Sequence, residues 1–335
     1  MTKSPTIDQI FLSQPPAIYS KNRSEKLIFA HKLNFGPKMP DIHTIIGIEV
    51  EAENIIYMDP NITLGWWSIH DDSSLRNNGK EFKSFPMSCQ YAFPALEFLF
   101  KYLNSNIDFS KRTSIHIHVN MRGLTISQLA SIFITYVAVE NLLFKFAGLH
   151  RRSNIYCVPI SETDLLDSQP SDWEGILANL GNTWHKYSAL NLLPLINMGT
   201  IEFRHLPGVS DVNKICQWVS LIVNLKLIGQ KTAYKDLLNQ ITNLNTNSEY
   251  TQFVEYIFGI DSILLDMSNV KGLMQEPVKL LKMSMLNNDF HRIVRCFPNS
   301  SYGITRTKNT PKISKDSKPN ITISDYAMQF TVPGA

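Results

Sequence analysis

Residues 113–120 alternate between apolar and polar positions, the period of two that is typical of a half-buried β-strand. Five other short runs also predict strands: residues 43–57, 66–70, 82–87, 187–192 and 200–205. All six runs lie in the first two thirds of the chain. The pattern therefore predicts a sheet that is complete before residue 210.

The apolar period changes to that of an α-helix over residues 91–103, 124–148 and nearly all of 211–296. The second helix has the clearest start, because Thr125 and Gln128 are spaced as a capping box, and Gly148 marks its end. Strands first and helices last are typical of an α+β fold. We therefore expect an antiparallel sheet with helices packed on one side and a helical C-terminal part, residues 211–298.

The two ends of the chain lack such periodicity. Residues 1–40 predict an irregular leader with one short helix near residues 25–35, and residues 299–335 predict a polar tail that buries too little surface to fold alone. Residues 150–183 predict a loop-rich connection. The expected catalytic unit is therefore residues 41–298.

Composition supports a folded, core-rich protein. The chain has 335 residues, of which 44% are hydrophobic and 18% are charged. Glu140 and Asn141 interrupt the best apolar run before it reaches the ~20 residues of a membrane span, and the first twelve residues do not resemble a signal peptide. The four cysteines form no CxxC pair, which argues against a zinc knot or a disulfide framework. We expect a cytoplasmic protein.

Net charge is +3, but the positive charge is concentrated near the C-terminus. Residues 301–320 contain five basic residues and one acid and so carry +4, which leaves the remainder near −1. A generally basic nucleic-acid-binding surface is therefore not supported. The tail alone could contact a polyanion.

Ionisable side chains recur in pairs on three predicted strands. Each pair occupies positions i and i+2, so both members share one face while aliphatic residues take the other. The pairs are Glu49 and Glu51, His116 and His118, and Glu202 and Arg204. A single pair is equally typical of a solvent-facing strand, but three pairs together predict one polar sheet surface.

Carboxylates with an occasional imidazole suit Mg²⁺ or Mn²⁺, which commonly bridge nucleotide phosphates. The sequence contains neither GxxxxGK[ST] nor a GxGxxG segment after a strand, so metals and arginines would have to hold the phosphates. The candidates are Arg204, Arg151 and Arg152. The adjacent Arg151 and Arg152 are also typical of a solvated helix end.

Two further acidic features have simpler interpretations. Asp72 and Glu81 lie in polar segments that also fit a hairpin. Glu140 falls on the apolar stripe of the capped helix, where an unpaired carboxylate is costly. We expect a structural ion pair between Glu140 and a base.

The order of these segments resembles the amidoligase family, a branch of the carboxylate–amine ligases related to glutamine synthetase and glutamate–cysteine ligase. The resemblance covers residues 44–218 and is carried, in order, by GIEVE, DSSL, GKEFKS, HIHVN, RRSNIYCVP, KYSALNL and TIEFR. It implies an antiparallel sheet curved into a glutamine-synthetase-like funnel that holds ATP and Mg²⁺ or Mn²⁺. The implied product is an amide or isopeptide bond between a carboxylate and an amine from an amino acid, a peptide or a modified biomolecule.

The resemblance also implies roles for individual residues. The implied metal ligands are Glu49, Glu51, Glu81, His118 and Glu202, and His116 would lie near a metal or the nucleotide phosphates. Which of the two histidines ligates a metal stays open. Arg204 would stabilise the transferring phosphoryl group, and Asp72 would deprotonate the amine. The nucleotide or acceptor side would be lined by Arg151 or Arg152, Tyr156 and Asn191.

One departure affects Asp72. The family's acid-Gly-Ser-Leu turn reads Asp72-Ser73-Ser74-Leu75 here, which makes the turn geometry an open point. The implied chemistry is phosphorylation of a carboxylate to an acyl phosphate, followed by amine attack. Three alternatives remain: a kinase-like phosphotransferase on the same surface, a metal-dependent hydrolase, or a non-catalytic assembly or nucleic-acid-associated protein with a basic tail.

Overall fold

The computed structural model describes residues 44–55, 65–103, 107–162 and 184–286. The predicted leader and its short helix, the tail, and the boundaries at residues 40 and 298 lie outside these ranges. Within them the chain forms an antiparallel sheet and seven α-helices.

Seven strands form one open sheet. They are β1 (Ile45–Ala52), β2 (Trp67–Asp71), β3 (Lys80–Ser84), β4 (Met87–Ser88), β5 (Ser114–Asn120), β6 (Leu190–Asn191) and β7 (Thr200–Pro207). Every named pair is antiparallel, in the order β2-β3-β1-β5-β7-β6, with β4 paired to one end of β1. The longest strands, β1, β5 and β7, are neighbours at its centre.

The two faces of the sheet differ because the sequence alternates. On one face Ile48, Ile117 and Phe203 are completely buried or nearly so. On the other face the neighbouring positions are glutamates, histidines and an arginine. The aliphatic face provides the core, which leaves the opposite face available for chemistry.

The helices are α1 (Ala92–Leu103), α2 (Ile126–Ala147), α3 (Pro194–Asn197), α4 (Val212–Lys231), α5 (Tyr234–Thr242), α6 (Asn247–Phe258) and α7 (Val270–Leu286). Helix α2 is central, because it packs against α4, α5 and α7 and contacts β7. Its predicted capping box is present: Thr125 accepts from the Gln128 N–H, and the Gln128 side chain accepts from the Thr125 N–H. Gly148 ends the helix at φ 119°, a conformation that favours glycine.

Helix α2 is also long and apolar enough, over Ser127–Ala147, to span a membrane by length and composition alone. However, 83% of that window is buried inside the protein. The helix is therefore accounted for as the core helix of the fold.

Strand β7 contains a bulge beside the polar face. Its pairing with β5 shifts between Ile115 and Ile117, so that Arg204 and His205 lie together between the paired residues Phe203 and Leu206. The side chain of His205 is fully buried and contacts the rings of Phe144 and Trp218. Arg204 remains on the polar face beside Glu202.

The predicted α+β class and antiparallel sheet are confirmed, while the funnel shape stays a prediction. Two predicted strands differ from the observed ones. The run 82–87 is divided into β3 and β4, with Pro86, which has no N–H to donate, between them. Of residues 187–192, only Leu190–Asn191 form a strand, because only these residues pair with β7.

Candidate active site

The strand register brings the predicted polar residues together on one face. Glu49 lies opposite His116, and His118 lies opposite Glu202. Glu51 lies opposite Glu81 on the other side of β1. The three i, i+2 pairs of the sequence, together with Glu81, thus form one continuous set, the strand cluster: Glu49, Glu51, Glu81, His116, His118, Glu202 and Arg204.

His116 is at the centre of the strand cluster and is 1% exposed. Its Nδ1 atom lies 3.2 Å from Oε2 of Glu49 and 3.3 Å from Oε1 of Glu202. Its Nε2 atom lies 2.7 Å from the hydroxyl of Ser114, which donates to Oε2 of Glu51 over 2.6 Å. His116 therefore links carboxylates of β1 and β7 through both ring nitrogens.

His118 offers one buried nitrogen without a hydrogen-bond partner. Its Nδ1 atom lies 3.1 Å from the Thr200 hydroxyl, but Nε2 has no hydrogen bond within the described chain and lies 3.5 Å from Oε1 of Glu49. Burial lowers the pKa of His118, but the charges of Glu49 and Glu202 outweigh it, and the pKa is raised. A cation bound among these carboxylates would displace the Nε2 proton of His118, because only the neutral imidazole is a metal ligand.

In the part of the chain that the structure describes, three groups of side chains place potential metal-ligating atoms within 4.8 Å of one another. They are Glu49, His118 and Glu202; Glu49, Glu81 and His116; and Glu51, Asp72 and Glu81. Carboxylate oxygens with one imidazole at most are suitable ligands for Mg²⁺ or Mn²⁺. Together with the unpaired nitrogen of His118, this donor set fits a divalent cation.

The carboxylates of the strand cluster differ in protonation. Burial would raise the pKa of Glu49, but His118 and His116 hold it well below its usual range. Burial also opposes ionisation of Glu202, yet His116, His118 and Arg204 lower its pKa. Burial and the nearby charge of Glu49 raise the pKa of Glu81 to about 8, despite Lys83. Glu81 therefore holds a proton more readily than Glu49 or Glu202.

Lys83 is a member of the site for which no role was predicted. Its Nζ atom lies 3.1 Å from Oε1 of Glu49 and 2.8 Å from Oε2 of Glu81. The i, i+2 spacing of Glu81 and Lys83 repeats the pattern of the three recognised pairs and could have identified it. The strand cluster therefore includes Lys83.

Arg204 is oriented by two contacts. Its Nη1 atom donates to Oε1 of Glu202, and its Nε atom donates to the backbone carbonyl of Tyr156 over 3.2 Å. Within the described residues Nη2 makes no hydrogen bond. The Tyr156 ring packs edge-on against Tyr187 at 5.3 Å, and the Arg204 guanidinium lies 6.0 Å from the Tyr187 ring. Arg204 is thus held in place with one donor group available.

Two other predicted residues adjoin the strand cluster. The Asn191 side-chain amide donates to Oε2 of Glu202 over 2.6 Å, which orients that carboxylate. Asp72 accepts from the Ser74 N–H over 2.7 Å, so the turn without glycine is closed by the aspartate itself. This turn also explains Gly79, because a Cβ atom there would lie 2.5 Å from the Cβ of Leu75.

The structure does not bring Arg151 and Arg152 into the strand cluster. Arg151 is 1% exposed and donates to the carbonyls of Arg204 and His205 over 2.9 and 3.0 Å. Arg152 pairs with Glu162 and donates to Asn141 over 2.7 Å. Arg151 therefore supports the β7 bulge, and Arg152 joins α2 to the turn at Ile160–Glu162.

Among the described residues Glu140 forms no ion pair with a base, contrary to the prediction. The carboxylate accepts from the Tyr136 hydroxyl and the Ile160 N–H over 2.7 Å each, and from the Ser161 N–H over 3.1 Å. Burial raises the pKa of Glu140, and these donors lower it in part. Two of the three neutral donors come from the distant turn at Ile160–Glu162, which the local sequence could not indicate.

Comparison with known proteins assigns this architecture to a family. The model of a family described as "putative amidoligase enzyme" matches residues 39–226, more than half of the chain. The chain belongs to this family. No curated protein matches the chain. The matched region includes every residue of the strand cluster, and the family resemblance predicted from the sequence is confirmed. An amidoligase is a ligase-type enzyme that acts on a carboxylate and an amine.

Proposed function

We propose that this protein is an ATP-dependent carboxylate–amine ligase that forms an amide or isopeptide bond through an acyl phosphate. The observation that carries the proposal is the strand cluster itself, where carboxylates, two histidines and Arg204 converge on one face. Family membership supports amide-bond formation. The donor chemistry of the cluster supports a nucleotide bound with Mg²⁺ or Mn²⁺.

Glu49, Glu202 and His118 would hold one divalent cation, and Glu51 and Glu81 would hold a second, with Asp72 beside them. When bound, these cations neutralise charge on phosphoryl oxygens. Asn191 would fix the Glu202 carboxylate, and Ser114 would fix Glu51. Such outer contacts orient ligands and limit their motion.

Arg204 would act in the first chemical step. There the bond between the γ-phosphorus and the ADP oxygen breaks, and a bond to a substrate carboxylate oxygen forms. The Nη2 donors of Arg204 would meet the charge on the transferring group, while Nε and Nη1 keep the guanidinium in place. A planar, oriented donor of this kind is most useful when charge develops in the transition state.

Asp72 would act in the second step. The amine nitrogen attacks the acyl carbon, inorganic phosphate leaves with the bonding electrons, and one amine proton passes to the base. Asp72 lies at the edge of the strand cluster, in a turn that includes Ser74. This position supports an approach of the amine from the turn.

Hydroxylamine tests the mechanism without knowledge of the natural amine. With ATP, Mg²⁺ and a pool of candidate acids, we expect a hydroxamate together with equal amounts of ADP and phosphate. Arg204→Lys should slow this reaction severely with little change in ATP affinity, because the point charge replaces a fork needed mainly in the transition state. Arg152→Lys is the matched control and should retain the rate.

The products separate the alternatives. Release of AMP and pyrophosphate would indicate an adenylate route and overturn the acyl phosphate. A phosphorylated product without any amine requirement would indicate the kinase-like phosphotransferase. Mass spectrometry after incubation with a pool of amino acids, peptides and modified nucleotides would identify the acid and the amine.

A further inference from the structure

Lys83 occupies a central position among the carboxylates. It lies opposite Glu49 in the pairing of β3 with β1, and two residues from Glu81 on its own strand. Its ammonium group contacts one oxygen of each carboxylate, at 3.1 and 2.8 Å. Its side chain is 38% exposed, so the Lys83 contacts lie at a part of the site that solvent reaches.

These two carboxylates belong to one of the three candidate metal groups, the one completed by His116. A divalent cation would sit about 2.0–2.6 Å from its oxygen ligands. An ammonium group that donates to both oxygens fills the same space between them. Two cations so close would repel strongly at a partly buried site.

The other two metal groups do not depend on that space. One combines Glu49 with His118 and Glu202, and the other combines Glu81 with Glu51 and Asp72. Each of these two groups therefore contains one carboxylate that Lys83 contacts. Its other ligands are residues that Lys83 does not contact. Oε1 of Glu49 faces both Lys83 and Nε2 of His118 and would be shared, whereas Lys83 does not contact Oε2 of Glu49 or Oε1 of Glu81, and these oxygens remain for a cation.

We propose that the Lys83 ammonium group takes the place of a divalent cation between Glu49 and Glu81. The site then binds two divalent cations, one on either side of Lys83. Without the Lys83 ammonium group, the three ligand groups could hold three cations. This inference rests on the proposed function, because it presumes that the strand cluster binds metal. It assigns Lys83 as a positioning residue that fixes the number of metals.

Mn²⁺ binding to the full chain tests the assignment, by isothermal titration calorimetry with electron paramagnetic resonance for the free ion. We expect two equivalents for the wild type and three for Lys83→Met, whose neutral side chain leaves the middle group available. Lys83→Arg retains a cation and should bind two. Lys80→Met is the matched control on the same strand, because Lys80 pairs with the exposed Asp71 outside the strand cluster.

Each outcome has a defined meaning. If the wild type binds no Mn²⁺, the proposed function fails together with this inference. If the wild type binds two equivalents and Lys83→Met also binds two, Lys83 does not replace a cation and only this inference is overturned. Three equivalents in the wild type would overturn it as well. Lys83→Gln, which keeps a polar side chain, provides the same comparison if Lys83→Met does not fold, and should also bind three.

Discussion

Two buried carboxylate networks lie on opposite faces of the same sheet. On the helix side, Glu140 accepts from a tyrosine hydroxyl and two backbone N–H groups, all of them neutral donors. On the open side, Glu202 faces Arg204 and two histidines. Burial raises the pKa of Glu140, whereas the charged neighbours lower the pKa of Glu202. Glu140 and Glu202 are thus similarly buried, yet their pKa values shift in opposite directions.

The difference shows how to distinguish a structural carboxylate from one that can bind a ligand. Around Glu140, three donors meet one carboxylate, so hydrogen bonding is largely complete. In the strand cluster, four carboxylates face Lys83, Arg204 and two histidines, and the histidines can exchange a proton for a metal ion. Such titratable partners at a partly open site allow a cation to bind. We call the group of Tyr136, Glu140 and His205 the closed network.

Glu202→Gln should have the largest effect and should act mainly on chemistry. Loss of one charged ligand should lower the rate of ADP formation on the order of 10³-fold. The free energy of unfolding should fall by about 1–2 kcal/mol, because the Gln carbonyl can still accept from Asn191 but the attraction of Glu202 to Arg204 and the two histidines is lost. Product assays and urea denaturation measure the two quantities. A large loss of stability would place Glu202 with the structural carboxylates.

Glu140→Ala should show the reverse pattern, with a large loss of stability and unchanged metal binding. The change leaves three buried donors unpaired and should lower the free energy of unfolding by about 3 kcal/mol or more, since each such group costs about 1–3 kcal/mol. Glu140→Gln keeps one carbonyl acceptor and should lose less. Urea denaturation gives the stability, and Mn²⁺ titration of the folded variant should match the wild type. Weaker Mn²⁺ binding by the folded variant would contradict the separation of the two networks.

His205 should give the closed network a distinct pH dependence. Burial and the charge of Arg151 lower the pKa of His205 to about 3, so it stays neutral in the fold while the unfolded chain binds a proton near pH 6.5. Protonation then favours the unfolded state as pH falls. Stability from this residue should decrease by about 2 kcal/mol between pH 7 and pH 5.

The measurement is the difference between the wild type and His205→Phe in urea denaturation at the two pH values. The raised pKa of Glu140 acts in the opposite direction, because a carboxyl that holds its proton in the fold favours low pH. Subtracting the pH dependence of the variant from that of the wild type leaves the contribution of the His205 imidazole. Parallel pH profiles for the two proteins would show that His205 is not held neutral.

Arg152→Ala should have the smallest effect. Its guanidinium contacts Glu162 and Asn141 outside the strand cluster, and its side chain is 37% exposed. We expect unchanged ATP affinity and a change in unfolding free energy within about 0.5 kcal/mol. Nucleotide titration provides the check. A clear loss of ATP binding would show that Arg152 contributes to nucleotide binding, as the family resemblance implied.

Much of the site could be predicted because strand periodicity alone determines which side chains share a face. Glu49 with Glu51, His116 with His118, and Glu202 with Arg204 each needed only the i, i+2 rule. The capping box of α2 is equally local, since Thr125 and Gln128 are three residues apart. The confirmed α+β class results from the order of the same elements.

Features that depend on contacts between distant segments could not be predicted. The i, i+2 spacing places Lys83 on the same face as Glu81, but its contact with Glu49 depends on the register of β3 against β1, which the sequence does not specify. By sequence Arg151 is equally suited to a phosphate or to a helix end, and the β7 bulge decides its contacts. Two of the donors to Glu140 lie twenty residues or more away along the chain, at Ile160 and Ser161.

The β7 bulge bears on how this family can tolerate insertion and deletion. Removing His205 would leave Glu202, Phe203, Arg204 and Leu206 in strict alternation, with each side chain on the face it already occupies. The polar face therefore does not require the extra residue. What His205 adds is the buried contact with Tyr136 and a second carbonyl for Arg151. A chain shortened by this residue could retain the chemical groups of the site and lose the connection between its sheet and its central helix.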